Sequence, residues 1–344
     1  MCDKQNIIEL KNLEIGYSWG IKRWKSILTG INLSAKQGQL TAIIGQNGSG
    51  KSTLLKTISR LNNFINGDIF INSINLNKIS RNDFAKQVSF VSTEPVNVSN
   101  LKVIELITLG RFPYTNWFGK SNYIDKYIVN EAIELLNLNS FTAKYFYNLS
   151  DGEKQKVMIA RALAQDTEIL LLDEPTVFLD LPNKFEIINI LQNIAKKKNK
   201  TIIFSTHDLN IAINEADKIW LINENKITEG APEDLMLNYS FDSFFDSFRS
   251  KQNLDFTFDK NTGNFKITKS NNLNISLNGL ESHIFWTKKA LERQGFKVEL
   301  NNIVSTNVSV FKDNLAIKWK LTNNGNIIIF NSIYELSNYM VSVL

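Results

Sequence analysis

One cysteine, Cys2, stands among the 344 residues, so no disulfide can form within the chain, which suits a reducing compartment. No apolar run approaches the ~20 residues that span a bilayer; if the protein works at a membrane, another subunit must do the spanning. The opening Met1-Cys2-Asp3-Lys4-Gln5-Asn6 has no apolar signal core, so Cys2 is not expected to carry a lipid. Polybasic blocks are missing as well. The net charge is +5, with 12 Lys/Arg against 9 Asp/Glu in residues 241–344 and 27 against 25 before them. That balance argues against a nucleic-acid partner and leaves room only for a weak attraction to an anionic membrane face. What is present is ordinary for a folded protein: 43% hydrophobic and 21% charged residues exclude disorder, and the length suggests two domains.

Residues 1–240 alternate short apolar runs with helical patterns, as a mainly parallel α/β domain does. Leu40–Ile44, Ile169–Leu172 and Thr201–Phe204 are expected to be buried strands, and Ser52–Leu61 a helix. Between about 95 and 165, the stretches Val103–Leu109, Asp125–Leu136 and Glu153–Ala164 have helical spacing and read as an inserted helical subdomain. The aromatic-rich stretch Leu237–Ser250 reads as an amphipathic helix packing onto the core. Beyond it, alternation at Leu254, Phe256 and Phe258, and at Leu315, Ile317, Trp319 and Leu321, marks strands. Residues 241–344 thus form a small α+β domain. It carries an offset self-match, with Lys266/Lys318, Asn271/Asn323, Asn272/Asn324, Asn274/Asn326 and Ile275/Ile327 identical. Helices are expected after each copy, at Glu281–Gln294 and at Ile333–Val343 behind the capping box Ser332-x-x-Glu335. Duplication of a strand–strand–helix unit and chance in an Asn-, Lys- and Ile-rich chain both account for the match.

The chemistry concentrates at Gly45-Gln46-Asn47-Gly48-Ser49-Gly50-Lys51-Ser52-Thr53, which has the G-x-x-x-x-G-K-[ST] form of a phosphate-cradling loop. Glycines 45, 48 and 50 let backbone N–H groups turn toward phosphate oxygens, and the helix behind adds its positive end. Lys51 is expected to reach the β- and γ-phosphates of ATP, and the Ser52 hydroxyl to hold Mg²⁺. Asp173 ends a buried strand, where a magnesium contact belongs, and Glu174 beside it can act as base toward water. His207 leaves another strand of the same sheet, within reach of the γ-phosphate; His283, in the tail, is given no role.

With these residues assembled, residues ~7–236 resemble the ATP-binding subunit of an ABC transporter: a P-loop ATPase fold with a helical subdomain. Leu149-Ser150-Asp151-Gly152-Glu153 is similar to the family's LSGGQ or LSGGE signature, with Asp151 in place of the first glycine. Phe178-Leu179-Asp180 matches its D-loop and His207 its switch histidine, while Tyr17 stands where the family stacks a ring on adenine. The resemblance implies a head-to-tail homodimer in which Ser150 and Gly152 of one copy cap the γ-phosphate held by Lys51 of the other. One departure stands out. Where the family has a magnesium-touching glutamine, this chain has Thr93, whose hydroxyl could still coordinate, followed by Glu94, which could bind the metal as an anion; Glu94 is expected to take part of that role.

Leu109-Gly110-Arg111-Phe112-Pro113-Tyr114 further resembles a stretch of the importer ATPases for iron chelates, haem and cobalamin. The implied protein hydrolyses ATP at the cytoplasmic face of the cell membrane. It docks on membrane-spanning permeases through residues 93–120, and an extracytoplasmic binding protein supplies the substrate. An importer of another substrate, an exporter ATPase and a soluble ABC ATPase are the alternatives. For the tail, a dimer-stabilising appendage and a regulatory domain both remain open.

Overall fold

Parallel strands covered on both faces read as unbroken apolar runs, and three such runs make the centre of the first unit. The computed structural model describes residues 5–18, 24–94, 96, 100–115, 122–252, 256–259, 264–267, 273–302, 304–313 and 316–343. The chain divides into two compact units, Met1–Ser247 and Phe248–Leu344.

The first unit opens with β1 (Asn6–Ser18), β2 (Trp24–Lys36), β3 (Leu40–Gly45), α1 (Lys51–Ile58), β4 (Asn66–Ile71), β5 (Ile74–Asn75), α2 (Arg81–Gln87) and β6 (Val88–Val91). Three helices follow: α3 (Val103–Thr108), α4 (Tyr123–Leu135) and α5 (Asp151–Ala164). The unit continues through β7 (Ile169–Leu172), α6 (Leu181–Lys197), β8 (Thr201–Ser205), α7 (Leu209–Glu215), β9 (Lys218–Asn223), β10 (Lys226–Gly230), α8 (Pro232–Leu237) and the start of α9 (Ser240–Gln252), whose last residues fall in the second unit.

One sheet runs β10-β9-β3-β8-β7-β6, parallel from β9 to β6 with β10 antiparallel at the edge. Every residue of β3, β7 and β8 is buried. A second, antiparallel sheet runs β2-β1-β4-β5. A single apolar cluster joins the two sheets to α1, through Leu13, Ile43, Leu54, Leu55, Ile58, Ile203 and Trp220 among others. The register matters for function. Ile43 lies opposite Ser205, Leu172 opposite Phe204, and Val91 opposite Leu172. The segments leaving β3, β6, β7 and β8 therefore emerge side by side at one carboxyl edge, where α/β sheets place their sites.

The helices read between 95 and 165 form close to their expected bounds. The segment Leu109–Tyr114 departs from them by tightening into 3₁₀ turns. Gly110 explains the tight approach: a Cβ there would meet the Arg161 carbonyl oxygen at 2.2 Å. In α9, Phe241, Phe244 and Phe245 are buried, so this stretch packs inward, as its amphipathic pattern implies.

The second unit has a two-stranded antiparallel pair, β11 (Phe256–Asp259) and β12 (Asn264–Ile267). Then come β13 (Asn274–Gly279), α10 (Glu281–Arg293), β14 (Lys297–Leu300), β15 (Thr306–Asp313), β16 (Ala316–Asn323), β17 (Asn326–Phe330) and α11 (Ile333–Val343). Its five-stranded sheet runs β14-β13-β15-β16-β17. Leu277, Leu291, Phe296, Trp319, Leu336 and Met340 belong to its core, and the Trp319 indole N–H donates to Thr287 Oγ1 at 2.8 Å. Gly295, at φ 100°, ends α10. Ahead of α11, Glu335 N–H donates to Ser332 Oγ, but the Glu335 carboxylate accepts from Asn331 N–H, one residue earlier than a strict capping box.

The two segments of the self-match are built differently. β12 pairs with β11, and β13 lies parallel to β14 and β15; β16 and β17 instead form a hairpin with each other. The difference follows from chain length: the link after β16 is a tight turn through Asn324 and Gly325, both at positive φ, whereas residues 268–273 separate β12 from β13. Leu254, Asn271, Asn272 and Leu315 lie outside the described residues.

Candidate active site

The phosphate loop spans the gap between β3 and α1. Gly48 and Gly50 sit at φ 78° and 104°, conformations that only glycine adopts without strain. Gly45 has a different reason: a Cβ there would meet Ser49 Oγ at 2.4 Å. Gln46 O accepts from Ser49 N–H at 3.1 Å, which closes the turn and leaves Asn47 at its exposed tip. Lys51 is 5% exposed, and its ammonium donates to Gly45 O at 2.9 Å and Gln46 O at 3.2 Å. Burial pushes the Lys51 pKa down, while the carboxylates of Glu174 and Asp173 act to raise it. Ser49 Oγ is buried with no hydrogen-bond partner. A buried cation held only by carbonyls, beside an orphaned hydroxyl and a helix N-terminus, fits a polyphosphate.

Asp173 is the hub. It is 2% exposed; its Oδ1 accepts from Ser52 Oγ at 3.0 Å and from Ser205 Oγ at 2.6 Å. Its Oδ2 lies 3.5 Å from Thr93 Oγ1. One carboxylate ringed by hydroxyls is a hard-oxygen set that suits Mg²⁺ completed by phosphate and water. Glu174 follows in the left-handed region, at φ 46°, a strained position for a glutamate. Its N–H donates to Ser205 Oγ at 2.9 Å, and its Oε1 lies 3.0 Å from His207 Nδ1. His207 thus makes its contact to the base that would face the phosphate. Ser205, buried completely, grips both acidic residues and is absent from the candidates read in the sequence. Its only signal there is a polar residue ending the apolar run Ile202–Phe204.

One expectation shifts. The structure does not bring Glu94 to Asp173. Its carboxylate accepts from Lys56 Nζ on α1, which holds Glu94 below the usual carboxylate range, and Thr93 reaches Asp173 instead. Both residues lie in a bend past the end of β6, where their side chains go to different partners. Asp180 caps α6 by accepting from Asn183 N–H at 3.2 Å. Tyr17, half-exposed, shares a 2.8 Å hydrogen bond with Thr53 Oγ1, which ties the end of β1 to the phosphate-loop helix.

Ser150 and Gly152 begin α5. Ser150 and Glu153 form a reciprocal capping box, and the Ser150 N–H holds Glu153 below the usual carboxylate range. A Cβ on Gly152 would lie 3.3 Å from both Phe178 O and Leu179 Cδ2, so the signature glycine packs against the loop that follows Glu174. Within one chain, the described side-chain contacts of Ser150 go to Glu153. Further out, Arg111 is buried: its Nε–H donates to Asp125 Oδ1 at 2.9 Å, another N–H donates to Ala164 O at 3.0 Å, and the guanidinium lies 4.0 Å from the Tyr114 ring centre. The Leu109–Tyr114 string is therefore a packing joint between α3, α4 and α5.

Parallel sheet, phosphate loop and paired acids define a nucleoside-triphosphatase of the P-loop class. The family model "ABC transporter" matches residues 28–177, and the model "Iron ABC transporter C-terminal domain" matches residues 272–341. The iron(3+)-hydroxamate import ATP-binding protein FhuC of Bacillus subtilis is 39% identical over 60% of this chain and 75% of its own length. The petrobactin import ATP-binding protein FpuD of Bacillus anthracis is 34% identical over 67% of this chain and 84% of its own. A dimeric bacterial ABC transporter cassette superposes with a TM-score of 0.59 at 29% identity, over 65% of this chain and 98% of that one. This chain belongs to the ATP-binding proteins of ABC transporters: it binds ATP and is an ATPase of a transport system.

Proposed function

We propose that this chain energises an importer of an iron–siderophore or related metal chelate, haem and cobalamin included. The observation that carries the ATPase half is the convergence of Lys51, Ser52, Asp173 and Glu174 at one sheet edge. The substrate half rests on the iron-transporter model matching residues 272–341 and on the siderophore importers among the relatives. Lys51 and the loop N–H groups neutralise the phosphates, and Glu174, oriented by Ser205 and His207, takes a proton from the attacking water. Ser52 and Asp173 would hold Mg²⁺, with Thr93 beside them; the ion supplies charge neutralisation at the transferring phosphate. Tyr17 stacks on the adenine.

The working unit is a head-to-tail homodimer. Ser150 and Gly152 at the exposed start of α5 face the nucleotide of the second copy, with Asp180 at the same interface. The dimer docks on membrane-spanning permeases through residues 93–120, on the cytoplasmic face, and an extracytoplasmic binding protein delivers the chelate. Among the described residues, no helix is long and apolar enough to cross a membrane. Uptake of labelled ferric siderophore, haem and cobalamin by cells lacking this gene, restored by the parent but not by Glu174→Gln, tests the reading. Restoration of all uptake by Glu174→Gln, or no uptake defect for any chelate, would sink it. In the Glu174→Gln background, Ser150→Ala should abolish ATP-induced dimerisation in sedimentation while leaving nucleotide binding intact.

A further inference from the structure

The transport chemistry leaves unused one rim of the second unit. β17 (Asn326–Phe330) ends its five-stranded sheet, and among the described residues no further strand pairs with it. Edge strands are templates for pairing, and proteins blunt them with charge, proline or bulges. Asn326-Ile327-Ile328-Ile329-Phe330 has none of these: it carries no charge and no proline, and its register against β16 is unbroken. The opposite edge differs, for β14 carries Lys297 and Glu299. Ile328 and Phe330 lie opposite Leu321 and Trp319, on the face that packs with α10 and α11. Ile327 and Ile329 lie on the other face, opposite Thr322 and Lys320, and are 57% and 53% exposed.

The backbone decides what can sit there. Asn324 and Gly325, at φ 49° and 86°, make a two-residue turn, so Asn323 and Asn326 close it as a hydrogen-bonded pair. Bonded and non-bonded pairs alternate along an antiparallel ladder, which makes Ile328 and Phe330 the next residues bonded to β16. The N–H and C=O groups of Ile327 and Ile329 therefore point outward. A second β17 running antiparallel, with a two-fold axis at Ile328, sets Ile327 against Ile329 of the other copy and Ile329 against its Ile327. That register uses every outward N–H and C=O of both strands, and it sets isoleucine beside isoleucine all along the centre of the strand. Centring the axis on Ile327 or Ile329 would leave some of these groups unpaired. We propose that β17 pairs antiparallel with β17 of a second copy of this chain, about a two-fold axis at Ile328, and joins the two five-stranded sheets into one. Such an isologous contact closes on itself, so it yields a pair and not a chain of copies. Strands this short bury less than the ~1,000 Å² that an independent dimer needs. The contact therefore works as a second joint, keeping the copies close when the nucleotide interface opens. The inference rests on the head-to-tail homodimer for that use, though not for the chemistry of the strand.

Two arms test it on the full-length chain. The first is cysteine cross-linking without nucleotide, with Cys2→Ser removing the native thiol. Across the proposed axis the two Ile328 Cα atoms would lie ~4.5 Å apart, within disulfide range, and the two Ile327 Cα atoms beyond ~7 Å. Under mild oxidation by diamide, Ile328→Cys should form a disulfide-linked dimer roughly tenfold faster than Ile327→Cys, Ile329→Cys or, on the β14 edge, Leu300→Cys. The second arm is sedimentation of the Glu174→Gln chain with ATP. There Ile327→Lys/Ile329→Lys should raise the dissociation constant of the dimer by about tenfold, with ATP affinity unchanged, and Ile327→Glu/Ile329→Glu should do the same. An equimolar mix of the two should recover the parent's value, because Lys then meets Glu across the axis. Equal linking at 327 and 328, charged variants that dimerise like the parent, or a mix no tighter than either variant alone overturns the edge assignment. If that happens while ATP still dimerises the Glu174→Gln chain, the head-to-tail reading stands. If Ile328→Cys links as expected and the Glu174→Gln chain fails to dimerise with ATP, the edge pairing stands and the head-to-tail reading falls.

Discussion

Ser205 shows how one hydroxyl can set an active site. It donates to Asp173 and accepts from the N–H of Glu174, whose φ of 46° needs a fixed partner to persist. Ser205→Ala leaves that N–H without its partner, at about 1–3 kcal/mol. The expected result is a lower urea midpoint together with a fall in kcat of about tenfold, the Km for ATP changing little because Lys51 is untouched. A stability loss with unchanged kcat would make Ser205 structural only. At Thr93 the hydroxyl, not the bulk, is at issue. Thr93→Val should raise the Mg²⁺ concentration that supports ATP binding by roughly tenfold, and Glu94→Ala should leave it unchanged, since Glu94 is committed to Lys56. Isothermal titration at varied Mg²⁺ reads both. The general residue types of this site were legible from the loop pattern and from the acids ending Ile169–Leu172. Ser205 and the choice between Thr93 and Glu94 were not, because both depend on the register of β8 and β6 against β7.

At the scale of elements, the joint of α3, α4 and α5 turns on the buried pair Arg111–Asp125. Burial pushes the Asp125 carboxyl up, but the Asn122 N–H and the Arg111 guanidinium outweigh it and leave the pKa lowered. A carboxyl lowered in the folded state adds stability above its unfolded pKa and loses it as pH falls through the folded one. Arg111→Ala should cost about 3–5 kcal/mol near neutral pH by stranding a buried charge. The gap to the parent should narrow in acid as Asp125 protonates; urea unfolding across pH checks both signs. A gap that widens in acid would show that the pair is not the cause. The helices themselves could be read from spacing alone, since Val103, Leu106 and Ile107 recur at the helical period and are buried. The tightening of Leu109–Tyr114 could not, because it answers to the Arg161 carbonyl, remote in sequence.

For the whole molecule, every residue of the ATP site lies in Met1–Ser247. Deleting residues 250–344 should therefore leave ATP affinity unchanged while weakening the dimer in sedimentation equilibrium, as a stabilising appendage requires. An intact dimer with altered inhibition by the transported substrate would assign the tail to regulation instead. The sequence by itself determined the chemistry and the class of this protein, because phosphate loop, signature and acid pair are local patterns whose function follows from residue type and chain order. It also determined the strands and helices whose apolar period is strong. Tertiary structure decided which side chains meet. Parallel pairing brings the ends of β3, β6, β7 and β8 to one edge, so Asp173 finds hydroxyls from three separate segments. Strand pairing likewise built the two matched tail segments differently: a strand's partner depends on the loop lengths and faces around it, which resemblance between the segments does not carry.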